Sequence, residues 1–272
     1  MCLCKRRGSM YGLIRARVFT RDNNMNADRR KFIKQTGWTL LGSGILVSVG
    51  SFFPRAGRAM QKGSSQELYG FIVDTHRCIG CGKCVQACKT ENHVPEEFFR
   101  TWVERYIITA DDTVYVDSPH GAVHGFKDTE VKEKIEKSFF VPKLCNHCTE
   151  ANCVQVCPVG ATYTTKEGVV LVDEKHCVGC GYCVQACPYG ARYIHPERRT
   201  ADKCTWCYHR VKKGLMPACV VVCPVEARLF GNLKDPESRV ARILREERIG
   251  VLKPETGNSP KTFYVGLDKE VR

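Results

Sequence analysis

The stretch from Cys177 to Pro188 reads Cys-Val-Gly-Cys-Gly-Tyr-Cys-Val-Gln-Ala-Cys-Pro. Three thiols stand at two-residue intervals, a fourth follows after three more residues, and a proline closes the set. Thiolates are soft ligands that select zinc or iron–sulfur centres over hard cations. This spacing is that of a [4Fe–4S] ligand loop, in which a curled backbone presents three thiolates to three iron corners of a cubane. Gly179 and Gly181 permit the curl, because glycine reaches positive φ and lets the backbone approach without a Cβ. The fourth cysteine lies a turn beyond and points elsewhere. In two-cluster ferredoxins it ligates the neighbouring cluster, so one such loop predicts a second.

The chain carries three more groups. Cys78, Cys81, Cys84 and Cys88 repeat the first almost letter for letter, with Lys89 in the place of the proline. Such self-similarity points to duplication. Cys145, Cys148, Cys153 and Cys157 follow with one gap widened to four residues and Pro158 after them. Cys204, Cys207, Cys219 and Cys223 have a gap of eleven and end on Pro224. Sixteen of the 18 cysteines thus fall into fours, and only Cys2 and Cys4 stand outside. Two rival chemistries fit parts of this pattern. A zinc ribbon pairs two Cys-x2-Cys knuckles, but it would leave the third cysteine of the tight loops idle. An even cysteine count in an exported chain also reads as a disulfide framework. No ligand position of the sixteen is substituted, so the expectation is four [4Fe–4S] clusters.

His76, His147 and His176 adjoin the ligand positions and read as packing or hydrogen-bonding groups, not as ligands. Tyr182 and Trp206, inside ligand loops, read as shields against water, which help set a cluster potential. The chain shows no phosphate-binding glycine loop, dinucleotide fingerprint, serine elbow or zincin helix. The expectation is a non-catalytic electron relay.

The net charge of +13 suggests nucleic acid at first sight, but its distribution argues otherwise. Residues 1–59 hold 12 Lys/Arg against 2 Asp/Glu, while the remainder holds 30 against 27. With about −2 on each cluster and its thiolates, the folded chain is mildly acidic and nucleic acid is excluded as a partner. The basic surplus belongs to a leader. Arg29 and Arg30, in Asp-Arg-Arg-Lys-Phe-Ile-Lys, resemble the twin-arginine export motif. A weakly apolar run from Gly37 to Phe53 follows, and Gly57-Arg58-Ala59 offers a cleavage point. A retained anchor is the rival reading, at the short limit for spanning. Met25 offers a second start, which would leave Cys2 and Cys4 outside the translated chain. Export by this route carries folded proteins, so clusters inserted in the cytoplasm would reach the periplasm intact.

The elements that must hold the four groups are short. Strands are expected at 69–74, 102–108, 114–116, 161–165, 169–173 and 191–195, and an extended tail at 262–266. Helices are expected at 128–137 and from Asp235-Pro236 to Arg248. The chain divides into a signal region at 1–59 and a four-cluster domain at 60–272. Within the latter stand the first group at 69–88, an insertion at 89–144, an inner module at 145–195 and the fourth group with its extension at 196–272.

From about Tyr69 to the end, the groups in this order and with these gaps resemble the four-cluster electron-transfer (beta) subunits of the dimethyl-sulfoxide-reductase superfamily. The leader, Ala201-Asp202-Lys203-Cys204, Leu215-Met216-Pro217-Ala218-Cys219 and the tail from Leu252 to Leu267 resemble its tetrathionate-reductase type and related twin-arginine-exported proteins of sulfur respiration and nitrite reduction. The resemblance implies an α+β fold of two interleaved bacterial-ferredoxin-like modules, with an inserted strand/helix segment and a C-terminal helix plus extended tail. It implies exchanged ligands: Cys78, Cys81, Cys84 with Cys223; Cys145, Cys148, Cys153 with Cys187; Cys177, Cys180, Cys183 with Cys157; and Cys204, Cys207, Cys219 with Cys88. The implied partners are a molybdopterin catalytic subunit and a quinone-reactive membrane subunit, together with the twin-arginine machinery. A second reading puts a multihaem cytochrome in the place of the molybdopterin protein. A third, from another class, is a zinc-stabilised interaction protein.

Overall fold

The computed structural model describes residues 67–271, so Arg29, Arg30, the apolar run and the cleavage point lie outside the described residues. Among the described residues no helix is long and apolar enough to cross a membrane. The strands in chain order are β1 Tyr69–Asp74, β2 Thr101–Thr109, β3 Val114–Asp117, β4 Ile135–Leu144, β5 Thr162–Thr164, β6 Val170–Val172, β7 Arg192–Ile194, β8 Ala201–Lys203, β9 Arg228–Asn232, β10 Ile249–Gly250 and β11 Thr262–Val265. The helices are α1 Lys83–Asn92, α2 Asn152–Gln155, α3 Tyr182–Gln185, α4 Tyr208–Val211, α5 Ala218–Val221 and α6 Arg239–Glu246. The fold is α+β.

Strand β1 is apolar on both faces, with Phe71, Ile72 and Val73 fully buried, so it takes the middle of a sheet. That sheet runs β10-β11-β1-β9. β1 lies antiparallel to β9, Phe71 opposite Phe230, and parallel to β11, Phe71 opposite Thr262. The extended tail is therefore a full strand, and the two ends of the described chain meet in one sheet. Helix α6 covers it through Val240, which packs with Ile72 and Leu229. A smaller hairpin, β5-β6, repeats part of this arrangement. Asp74 N donates to Ala227 O at 2.8 Å in the first sheet, and Asp173 N donates to Ala161 O at 2.7 Å in the hairpin. Helix packing follows the same pairing, α1 against α5 and α2 against α3.

The insertion forms a sheet ordered β3-β2-β4. β4 runs into Cys145, and its inner half, Val141 to Leu144, is buried. The expected helix at 128–137 is absent: residues 128–134 have no regular structure and 135–144 are strand. The nine-residue strand β2 alternates buried and half-buried positions and needs a partner on each edge, and β4 supplies one from Thr101↔Leu144 outward. Of the charged residues that suggest a helix there, Glu136 and Lys137 lie on the exposed outer half of β4, and the others precede the strand in the irregular segment. The C-terminal helix is shorter than expected, Arg239–Glu246. The Asp235 carboxylate accepts from Glu237 N at 3.0 Å, an Asx-type turn that delays the helix, and residues 249–250 leave it to pair with β11.

Candidate metal centre

The ligand loops owe their shape to left-handed residues. Gly80 and Gly82 have φ of 68° and 71°, and their counterparts Gly179 and Gly181 have 69° and 78°. Three of the four groups then close on a Cys-Pro turn. Gly160, Gly190 and Glu226 donate their N–H to the carbonyls of Cys157, Cys187 and Cys223, and each has positive φ. The first group lacks the proline, and its helix therefore continues: α1 runs on through Lys89 to Asn92. The Lys89 ammonium then caps the carbonyls of Pro95, Glu96 and Phe98 at 2.8–2.9 Å.

All sixteen described cysteines are free thiols. Cys78, Cys81, Cys84 and Cys223 line one cavity, which the β1–β9 pairing closes. Cys145, Cys148, Cys153 and Cys187 line another. Cys88 faces Cys204, Cys219 and Cys207, and the Asn92 amide spans Cys88 Sγ at 3.5 Å and Cys207 Sγ at 3.8 Å. The Cys157 turn meets the Cys177 loop through the β5-β6 hairpin and the packing of α2 on α3. Cys177 Sγ accepts from Ala201 N at 3.4 Å.

Burial raises the pKa of Cys78, Cys84, Cys88, Cys148, Cys153, Cys187, Cys204 and Cys219 in the absence of metal. It pushes Cys78 up to about 11, Cys219 to about 11 and Cys148 to about 12, and it raises Cys88 and Cys204 further. Cys157 is the exception. Its slight burial acts upward, but hydrogen bonds from the backbone around Thr162, Val159 and Ala161 prevail and hold it down.

Cations stand against the thiols, and the cysteine spacing does not mark them. Arg228, 1% exposed, lines the cavity of Cys78 and Cys223, and Cys84, Cys219 and Cys78 raise its pKa against the opposing effect of burial. Arg192 donates from Nη2 to Cys153 Sγ at 3.0 Å. Lys203, 1% exposed, has its pKa lowered by burial, with Cys145, Cys204 and Cys153 opposing. The only local signal was the position of each cation: Lys203 directly precedes a ligand, while Arg192 and Arg228 each lie five residues after one.

Of the neighbouring residues, His147 is fully buried, accepts from Val170 N at 2.9 Å and stacks on Trp206 at 4.0 Å between ring centres. Burial drives its pKa well down, so the ring is neutral. Trp206 is buried among Phe71, Phe230 and His147. Tyr182 departs from expectation: it is 58% exposed at the start of α3, directly after the left-handed Gly181. His76 packs against Gly266, and His176 pairs with Asp173 at the surface.

The donor set fits iron–sulfur clusters. Among the described residues no group of three or more His, Cys, Asp or Glu converges as a single metal ion requires. A tetrahedral zinc site would draw its sulfurs to about 2.3 Å from one point. Four thiols lining each of two cavities supply the four soft ligands that a [4Fe–4S] cubane takes. Residues 77–161 and 136–233 each match a family model described as a 4Fe-4S dicluster domain. The chain is 42% identical over 247 residues to the tetrathionate reductase subunit designated B of Salmonella typhimurium, covering 90% of each chain. It is 45% identical over 212 residues to its namesake in Archaeoglobus fulgidus, covering 78% of this chain and 88% of that one. Protein NrfC of Escherichia coli is 37% identical over 245 residues, with 89% and 96% covered. Two dicluster domains account for four [4Fe–4S] clusters, and the sixteen described cysteines match four ligands for each.

Proposed function

Because the chain belongs to the iron–sulfur electron-transfer subunits of the dimethyl-sulfoxide-reductase superfamily, we propose that it relays electrons within a periplasmic respiratory oxidoreductase of the sulfur-compound reductase type. Its partners are a molybdopterin catalytic subunit and a quinone-reactive membrane subunit. Each cluster supplies a one-electron carrier, and the chain's residues supply ligands, spacing and dryness. The observation that carries the reading is that a cysteine from the far end of the sequence, Cys223, lines one cavity with Cys78, Cys81 and Cys84. The ligand sets are Cys78, Cys81, Cys84 and Cys223; Cys145, Cys148, Cys153 and Cys187; Cys177, Cys180, Cys183 and Cys157; and Cys204, Cys207, Cys219 and Cys88. Two interleaved ferredoxin-like modules result, the outer one closed by the β1–β9 pairing and the inner one by the β5-β6 hairpin.

Cys223→Ser tests the ligand exchange. It disturbs the cluster of Cys78 and leaves that of Cys204 intact, as read by electron paramagnetic resonance of the anaerobically purified complex. Loss of the Cys204 cluster alone would overturn the pairing. Molybdenum in the co-purifying large subunit supports the partner assignment, and haem absorbance in its place supports the cytochrome. Export through Arg29 and Arg30 is tested by changing both to Lys: cluster-loaded protein then stays in the cytoplasm, and its normal appearance in the periplasm would sink the assignment.

A further inference from the structure

Three buried cations lie between the cysteine sets, and each touches two of them. Arg228 lines the cavity of the Cys78 set, and its charge also acts on Cys219 of the Cys204 set. Lys203 donates from Nζ to the carbonyl of Cys204 and to that of Val170, which lines the Cys145 cavity, and its charge acts on Cys145 and Cys153. Arg192 holds Cys153 Sγ at 3.0 Å, and its charge also acts on Cys183 of the Cys177 set. Placed end to end, the contacts order the sets as Cys78, Cys204, Cys145, Cys177, with one cation in each of the three gaps.

These cations differ from the other buried ones. Arg100 pairs with Asp202 at 2.7 Å, and Lys143 pairs with Glu104 at 2.7 Å. Among the described residues Arg228, Lys203 and Arg192 form no ion pair with a carboxylate. Arg228 Nε and Nη1 and Arg192 Nε have no hydrogen-bond partner at all. A buried cation is tolerated only with a counter-charge at hand. Among the described residues, the anions that lie against these three are ligand thiolates and the clusters they would hold. Lys261 supplies a contrast. It is 5% exposed and faces Cys148 and Cys145, so it acts on one set alone.

We propose that Arg228, Lys203 and Arg192 are gap cations, each of which raises the reduction potentials of the two clusters it separates and so sets the potential profile along the relay. A fixed positive charge favours the more negative, reduced form of each neighbouring cluster, and it offsets repulsion when both neighbours are reduced. The inference rests on the ligand assignment above.

The test is redox titration of the purified complex followed by electron paramagnetic resonance, cluster by cluster. Lys203→Met lowers the reduced-to-oxidised ratio at fixed potential about tenfold or more in both the Cys204 and the Cys145 clusters, a drop of about 59 mV for a one-electron couple. The Cys78 and Cys177 clusters stay in place. Arg192→Met and Arg228→Met act the same way on their own pairs, and Lys261→Met moves the Cys145 cluster alone. Lys203→Arg keeps both potentials. If a neutral variant fails to load clusters, this charge-keeping exchange still decides: potentials held support the proposal, and potentials shifted with all clusters present overturn it. Neutral variants with full occupancy and unmoved potentials, or with equal shifts at all four clusters, also overturn it. Wild-type protein without four clusters would instead sink the ligand assignment.

Discussion

Gly82 and Gly181 occupy the same place in two near-identical ligand loops, which makes them an internal control. Both precede a helix, with φ of 71° and 78°. A Cβ at Gly181 would meet nothing within 4 Å, whereas a Cβ at Gly82 would stand 2.0 Å from the carbonyl oxygen of Ala122. Gly181→Ala therefore incurs only the left-handed backbone penalty, about 1–2 kcal/mol. Gly82→Ala incurs the same penalty and must also displace the backbone of the insertion, an overpacking cost of about 1–3 kcal/mol more. For a domain of this size each kcal/mol shifts the melting midpoint by roughly 2–4 °C. The first variant then melts roughly 2–8 °C below the parent and the second a further roughly 2–12 °C lower. The assay is anaerobic thermal bleaching of visible cluster absorbance at one scan rate, since unfolding of such proteins is irreversible. Equal losses in the two variants would refute the reasoning, because they would mean that the insertion does not brace the first loop.

Two further outcomes follow from burial. In cluster-free protein the buried thiols have pKa values above their unfolded values, so the native state holds more protons than the unfolded chain and stability falls as pH rises. The loss begins near the ordinary thiol value of about 9 and runs through the values of about 11 to 12 held by Cys78, Cys219 and Cys148, read as a falling denaturant midpoint. A midpoint flat from pH 8 to pH 11 counts against it. Asp202→Asn leaves Arg100, 9% exposed at its side chain, buried without its anion at a cost of about 3–5 kcal/mol. Joint replacement by Arg100→Met and Asp202→Leu recovers most of that in the same measurement, and failure to recover would show that the pair itself is stabilising.

The cluster type was legible because cluster chemistry acts through local spacing, and a loop of twelve residues contains its own geometry. The strands next to the groups were legible for a similar reason: Tyr69 to Asp74 is a continuous apolar run, and Lys166-Glu167-Gly168 is a turn between two extended segments. Segment 128–137 misled because its charges fit a solvated helix as well as a solvated strand. What decided between them was the unpaired edge of β2, some 30 residues away along the chain. The gap cations were illegible for a stronger reason. An arginine five residues past a ligand looks like any surface arginine until the fold shows which thiols it meets.

Those same cations bear on how the protein assembles. Arg228, Lys203 and Arg192 are buried beside Cys84, Cys204 and Cys153, whose pKa values burial raises, and among the described residues these cations have no carboxylate partner. Each uncompensated buried ion costs several kcal/mol, which is comparable with the whole stability of a domain. Cluster insertion removes that cost in two ways at once: it converts neutral thiols to thiolates and places net negative charge in each gap. Metal loading then stabilises the fold, with protons released as iron enters. On the proposed export through Arg29 and Arg30, loading would come first, an order that the twin-arginine route suits because it carries proteins that have already folded.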